Sequence, residues 1–351
     1  MENKFDFRSK LTKLTLIITS VAAFAACFTM LTYASQKTII LSEEEQETEE
    51  VVEEVATQKS RSVDVSSLRQ SGKSLIFMDV PSQDISDESF AYFDYGKNSL
   101  VFVTYGTRES YFSTNAPQGD FSLVTKAGIN YNEGVTTVSL DFSEPVYCDS
   151  SYSNGRVKVS FTPVKDSDEI VVFVDPGHGG SSNGTKAGET AEKDIVLNIA
   201  SAVEKASKGK PYRVILSRYC DTYLDTEERI RALENSDADY YIGLHLSSNA
   251  DDVKAFGMKA VYNGSYFRHG IENVDFADRI LKSTVNNTVN LALGVFEADD
   301  EDAILQVIDV PGTVLYAGYI SNDAEKLLLT NSDYVEKIAN GIIEALDGVT
   351  E

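Results

Sequence analysis

Across residues 61–164 the apolar positions recur at every second residue in short segments. Val138-Ser139-Leu140-Asp141-Phe142 and Val157-Lys158-Val159-Ser160-Phe161 both alternate in this way, the period of a strand with one face in water and the other in a core. Segments 75–80 and 100–105 predict two more strands. Tyr95-Gly96-Lys97-Asn98 and Ser153-Asn154-Gly155 supply the turn residues between such segments. The expectation is a small antiparallel β domain over 61–165. Its many tyrosines and phenylalanines can pack a core or contact a polymer; enrichment of aromatic residues in strands favours packing.

Beyond Ser167 the period itself alternates. Segment 170–174 reads as a strand. Residues 192–208 then place Ile195, Ile199, Ala202 and Val203 on one helical face, and 212–217 returns to strand. Helix over 226–234, strand over 240–246, helix over 274–285 and strand over 313–320 follow. A last helix opens with Asp333 and Glu336 in capping-box spacing and repeats Tyr334, Ile338, Ile342 and Leu346 along one face. Strands joined by crossover helices predict an α/β fold over 169–349, a mainly parallel twisted sheet with helices on both faces.

The N-terminus suggests a compartment. A basic stretch, 1–13, carries Lys4, Arg8, Lys10 and Lys13, and an uncharged, mostly apolar run, 14–36, follows it. About 20 such residues span a bilayer, and a basic segment ahead of them keeps the N-terminus inside. The run reads as a transmembrane anchor, or as a signal segment if cleaved after Thr32-Tyr33-Ala34. Cys27 reads as a small membrane-buried residue, because Phe24-Ala25-Ala26 is a poor lipoprotein signal. Residues 37–60 are dense in glutamate, repel one another and form an acidic disordered linker. The folded part is therefore expected in the cell envelope, anchored outside the cytoplasm, or secreted.

Composition narrows the partners. Of the 351 residues, 42% are hydrophobic and 25% charged, as in globular proteins. A formal net charge of -24 argues against nucleic acid, whose phosphates need a cationic surface. Three cysteines, Cys27, Cys148 and Cys220, fit neither a zinc ribbon nor a disulfide framework and are expected to be unpaired.

Chemistry gathers where the α/β pattern puts it. Open α/β sheets bind ligands outside the carboxyl ends of their strands. In VVFVDPGHGG a β-branched run ends in a turn that presents His178 between glycines, and His245 ends the strand YYIGLHL. Glu192 opens the helix after the glycine loop and is the natural third member. Two histidines and a carboxylate are a common three-ligand set for hydrolytic zinc. His269, in the loop 265–270, reads as a surface residue.

The order DPGHGG, AEKDIVLNIA, VILSRYCDTYLDTEERIRALENSDADYYIGLHLSSNA and VLYAGYISNDAEKLL resembles the zinc-dependent N-acetylmuramoyl-L-alanine amidases of bacterial cell walls, over residues 171–346. The resemblance implies Zn2+ held by His178, Glu192 and His245, peptidoglycan as substrate, and cleavage of the amide between N-acetylmuramic acid and L-alanine. More loosely, the β domain is similar to wall-targeting domains that precede such catalytic units. The family's general base is a glutamate in a late strand before Ser-Asn; here Tyr316 stands at that position. A phenol is almost wholly protonated at neutral pH and is a poor base, though it can donate to an oxyanion. Leu293 likewise precedes Gly294 where the family usually has arginine. Glu189 and Asp309 are the weaker candidates to substitute as the base. The sequence leaves a second reading open: an amidase-like protein that keeps zinc and binds peptidoglycan as a regulatory module.

Overall fold

The computed structural model describes residues 61–63, 75–80, 91–264 and 271–350, apart from positions 106, 108, 113, 133 and 154. The basic stretch 1–13, the apolar run 14–36, the acidic linker 37–60 and His269 lie outside the described residues. Among the described residues no helix is long and apolar enough to cross a membrane.

The alternating segments form β1 (Arg61–Val63), β2 (Leu75–Asp79), β3 (Ala91–Asp94), β4 (Ser99–Tyr105), β5 (Gln118–Gly119), β6 (Val124–Asn132), β7 (Val135–Phe142), β8 (Val146–Ser153) and β9 (Arg156–Pro163). They pair antiparallel in two sheets, of order β1-β6-β7-β4-β3 and β5-β2-β9-β8. Alternation becomes burial: Thr136, Val138, Leu140 and Phe142 of β7 are buried, and so are Val157, Val159 and Phe161 of β9. Phe142 meets Phe161 edge to face at 5.3 Å and Phe93 at 5.6 Å, so the two sheets share an aromatic core. Each such side chain contributes about 1.5–3 kcal/mol on burial, which is why these phenylalanines pack rather than face a polymer.

A six-stranded sheet follows, built from β10 (Ile170–Pro176), β13 (Tyr212–Leu216), β14 (Tyr240–Ser247), β15 (Met258–Tyr262), β16 (Ala292–Glu297) and β17 (Gly312–Tyr319), in the order β13-β10-β14-β17-β15-β16. A two-stranded hairpin, β11 (Lys186–Ala187) and β12 (Thr190–Ala191), lies between β10 and the first helix. The helices are α1 (Glu192–Ala206), α2 (Thr226–Asn235), α3 (Asn273–Thr288), α4 (Asp323–Leu329) and α5 (Ser332–Thr350).

The sheet is mixed: four of its five strand pairings are parallel and one is antiparallel. β15 runs antiparallel to β17, while β16 is parallel to β15. The physical reason is the connection. Only residues 248–257 join β14 to β15, with no crossover helix, so β15 runs back one strand place beyond β14, and β17 later fills the place between them; a parallel return needs a dozen residues or more. β15 and β16 also escaped the periodicity. β16 is an edge strand whose residues are exposed or half-buried, and it carries a register shift next to Gly294, which has φ +124°.

Alternate residues of the strands serve two cores. Val172, Val174, Ile242, Leu244 and Leu315 face Ile199 of α1, Ile280 of α3 and Ile342 of α5. Val171, Phe173, Tyr241, Val261 and Val314 face the other way, into a core continuous with that of the β domain. Arg61–Glu351 is accordingly one compact unit. Polar contacts join the same parts: Tyr147 Oη donates to Ser236 O at 2.9 Å, Asn235 Nδ2 to Tyr95 O at 2.7 Å, and Arg213 pairs with Asp149 at 3.0 Å. Cys148 and Cys220 are free thiols, as expected.

The capping box falls on a different helix from the one expected. Asp225 and Glu228 form a reciprocal box at the start of α2. α5 instead begins one residue earlier than Asp333, and Asn331 Oδ1 accepts from the Tyr334 N–H at 3.1 Å.

Candidate metal centre

β10 ends in Asp175-Pro176, and Gly177 lets the chain pass under a neighbouring ring: a Cβ there would lie 2.2 Å from His245. His178 follows with φ +60°, a left-handed conformation that costs a non-glycine residue about 1–3 kcal/mol. Two buried arginines hold it there. Arg229 Nη2 donates to His178 O at 2.7 Å, and Arg218 donates to Pro176 O at 3.0 Å and Gly177 O at 2.9 Å. Asp175 anchors Arg229 by a buried ion pair and also accepts from Ser217 Oγ at 2.5 Å and Tyr241 Oη at 2.8 Å. Burial alone raises the Asp175 pKa, but Arg229 and these hydroxyls outweigh it and hold the carboxyl below its ordinary value. Burial and the adjacent Arg229 push Arg218 down to about 10, still protonated at neutral pH.

The helix α1 opens with Glu192, whose side chain is nearly fully buried. Glu192 Oε1 lies 3.0 Å from His245 Nδ1 and accepts from the Leu246 N–H at 2.8 Å; Oε2 lies 3.3 Å from His178 Nε2 and accepts from the Thr185 N–H at 2.8 Å. Burial works against the charged carboxylate, yet the two imidazoles and the backbone donors prevail and set its pKa well below the usual range. His178 Nδ1 is 3.0 Å from Ser182 Oγ, which fixes the ring and leaves Nε2 toward the carboxylate. The two rings stand 5.0 Å apart at 81°.

One nitrogen from each histidine and one oxygen of Glu192 all lie within 4.8 Å of one another. This donor set fits a divalent metal ion, since imidazole nitrogen and carboxylate oxygen together are ligands such ions take. Gly184 belongs to the same cradle, at φ +62°: a Cβ there would sit 2.5 Å from the His178 ring and 2.6 Å from Glu192 Oε2. Gly184→Ala is therefore expected to weaken metal affinity about 10–100-fold while the protein stays folded, as read by competition with a chelator beside a melting curve.

A cleft of about 190 Å³ opens over the imidazoles, lined also by Ser182, Tyr223, Asp225 and Ile304. Tyr316 lies beside it: in the β14–β17 register it is paired with His245, and the two rings are 5.8 Å apart. Lys259, on β15, pairs with Tyr316 from the other side and holds its Nζ 4.2 Å from the centre of the phenol ring. Glu189 stands exposed at the turn between β11 and β12. Asp309 lines a separate small pocket with Asn263 and Asn273, and Leu293 is partly exposed at the bulge of β16.

Four residues of this region lay beyond the sequence reading: Asp175, Arg218, Arg229 and Lys259. Asp175 carried a signal, a carboxylate closing an apolar strand just before the turn. The arginines carried none, because Arg218 in SRYCD and Arg229 in EERIRAL read as ordinary surface charges.

Residues 172–348, half of the chain, match the family model described as N-acetylmuramoyl-L-alanine amidase. The chain is 28% identical over 196 residues to the germination-specific N-acetylmuramoyl-L-alanine amidase of Bacillus subtilis, covering 50% of this chain and 78% of that protein. It is also 28% identical over 189 residues to the sporulation-specific amidase of the same organism, covering 51% and 67%. The crystal structure of an N-acetylmuramoyl-L-alanine amidase from Clostridium difficile 630 is similar at 28% identity and a TM-score of 0.48, covering 52% of this chain and 97% of that one. The chain belongs to the N-acetylmuramoyl-L-alanine amidase family.

Proposed function

We propose that the protein is a cell-wall hydrolase that cleaves the amide between N-acetylmuramic acid and L-alanine in peptidoglycan, with Zn2+ held by His178, Glu192 and His245. The observation that carries this reading is the meeting of two imidazoles and one buried carboxylate, from the loop after β10, from β14 and from α1, with both imidazoles lining an open cleft. When bound, the ion supplies a Lewis acid that polarises the amide carbonyl and activates water. The chain's own residues set the geometry. Arg218 and Arg229 hold the His178 loop by its carbonyls, and the Leu246 and Thr185 N–H groups fix both oxygens of Glu192. With its carboxyl held deprotonated by these donors, Glu192 serves as an anionic ligand and not as the base. Tyr316, at the family's glutamate position, offers a hydroxyl suited to donation rather than proton abstraction.

The β domain over 61–165 serves as a wall-targeting element, packed on the hydrolase part over 169–349 through a shared core. The apolar run 14–36 anchors the chain in the membrane, with both folded parts outside the cytoplasm. A second reading, an amidase-like protein that binds peptidoglycan without turnover, is favoured by the phenol at position 316.

Purified full-length protein, supplied with zinc, is expected to release stem peptides from peptidoglycan, and His178→Ala is expected to lose both bound zinc and release. Zinc and wall binding without any release would select the second reading. Absence of stoichiometric zinc in the parent would overturn both.

A further inference from the structure

A single row of residues crosses four strands of the sheet. His245 of β14 is in register with Tyr316 of β17, Tyr316 with Lys259 of β15, and Lys259 with Gly294 of β16. Register partners put their side chains on the same face, so the row leads from the candidate metal centre toward the sheet edge on the face that carries the cleft. Gly294 has no side chain to block the outer end, and the half-exposed Phe296 ring lies beside it, 3.5 Å from where a Gly294 Cβ would be.

Among the described residues, three cations near the candidate metal centre have fixed partners. Arg229 is tied to Asp175, Arg218 to four backbone carbonyls, and Lys193 to Asp221 at 2.7 Å. Lys259 makes no ion pair with a carboxylate among the described residues; the face of the Tyr316 ring is what its ammonium meets. On a chain of net charge -24, an anionic ligand is repelled everywhere except where a local cation offsets the field. A cation held over a ring beside the reaction site and left without a counter-charge is suited to receive one from the ligand.

We propose that Lys259 is a specificity-determining residue that binds a carboxylate of the peptide on the leaving side of the cleaved amide, with the Tyr316 ring holding the ammonium in place. This rests on the proposed hydrolase reading for the identity of the ligand. Two interstrand spacings separate β14 from β15, about 10 Å, which two to three residues of extended peptide span. The carboxylate therefore belongs to a residue shortly after the L-alanine, or to the end of a short peptide.

The test uses the zinc-loaded full-length protein and two probes: a muramoyl tripeptide with its peptide carboxylates free, and the same molecule with them amidated. Selectivity is the ratio of kcat/KM values, and in parallel the ratio of Kd values by calorimetry. The parent is expected to favour the free carboxylates about tenfold, Lys259→Met to lose that preference mainly through KM, and Lys259→Arg to keep it. Tyr316→Phe retains the ring and is expected to keep the preference too, whatever it does to kcat. Equal selectivity in the parent and Lys259→Met, in turnover or in binding, overturns the assignment, as does a parent that binds neither probe. A parent that discriminates in binding but turns over neither probe supports Lys259 and overturns the hydrolase reading, so the two failures are separate.

Discussion

Arg229→Met is expected to destabilise the folded unit by about 3–5 kcal/mol, because it leaves the buried Asp175 carboxylate without its cation. In a unit of this size the loss lowers Tm by on the order of 10 °C. The sign of its pH dependence is distinctive. In the parent, Asp175 has a depressed pKa, so its contribution is present above the ordinary carboxyl range near 3.9 and is lost only as pH falls through the lower folded value. In Arg229→Met the burial that already opposes the charge is countered only by hydrogen bonds such as those from Ser217 and Tyr241, without the paired cation, so the folded pKa rises and the penalty shrinks as acid neutralises the group. The gap in Tm between parent and variant should therefore narrow from pH 7.5 to pH 5, and adding Asp175→Asn should recover part of the loss at neutral pH. A gap of constant width across that range would show that Arg229 acts through packing and its bonds to the loop carbonyls rather than through the ion pair. The variant also tests the loop itself, since the His178 carbonyl loses its donor and the left-handed turn loses support.

The strands and helices that could be read in advance are those whose burial follows a simple period. β7 and β9 alternate cleanly because one face meets a core and the other meets water; β10 and β14 are buried on both faces and appear as continuous apolar runs ahead of their histidines. The three candidate ligands were legible for the same reason. Each stands at a boundary that the sequence marks, two at strand ends and one at a helix start, and such boundaries converge at the carboxyl edge of an α/β sheet. What was illegible depends on contacts distant in the chain. The short return from β14 to β15 decided the mixed sheet, and β16 is too exposed to carry a pattern. The arginine clamp joins Asp175 to Arg229 across 54 positions, and nothing local distinguishes either guanidinium from a solvated one. Lys259 gains meaning only from register, which puts it next to Tyr316 and one strand further from His245.

Tyr316→Glu is expected to raise kcat for release of stem peptides, because it restores a carboxylate next to His245 at the family's base position. General acid–base work contributes about 10²- to 10⁴-fold. Lys259 bears on where in that range the variant falls. Its ammonium, 4.2 Å from the centre of the native ring, would lie close to the new carboxylate, stabilise the charged form and make the base weaker. A gain near 10²-fold is therefore the expected result, with activity persisting to lower pH than an unpaired glutamate would allow. Tyr316→Gln serves as the control, similar in length and polarity but unable to take a proton. If Glu and Gln at this position behave alike, the gain is one of space or hydrogen bonding and not of proton transfer. If Tyr316→Glu falls below the parent while zinc remains bound, the phenol itself is the working group, and the parent stabilises the developing oxyanion through the tyrosine hydroxyl.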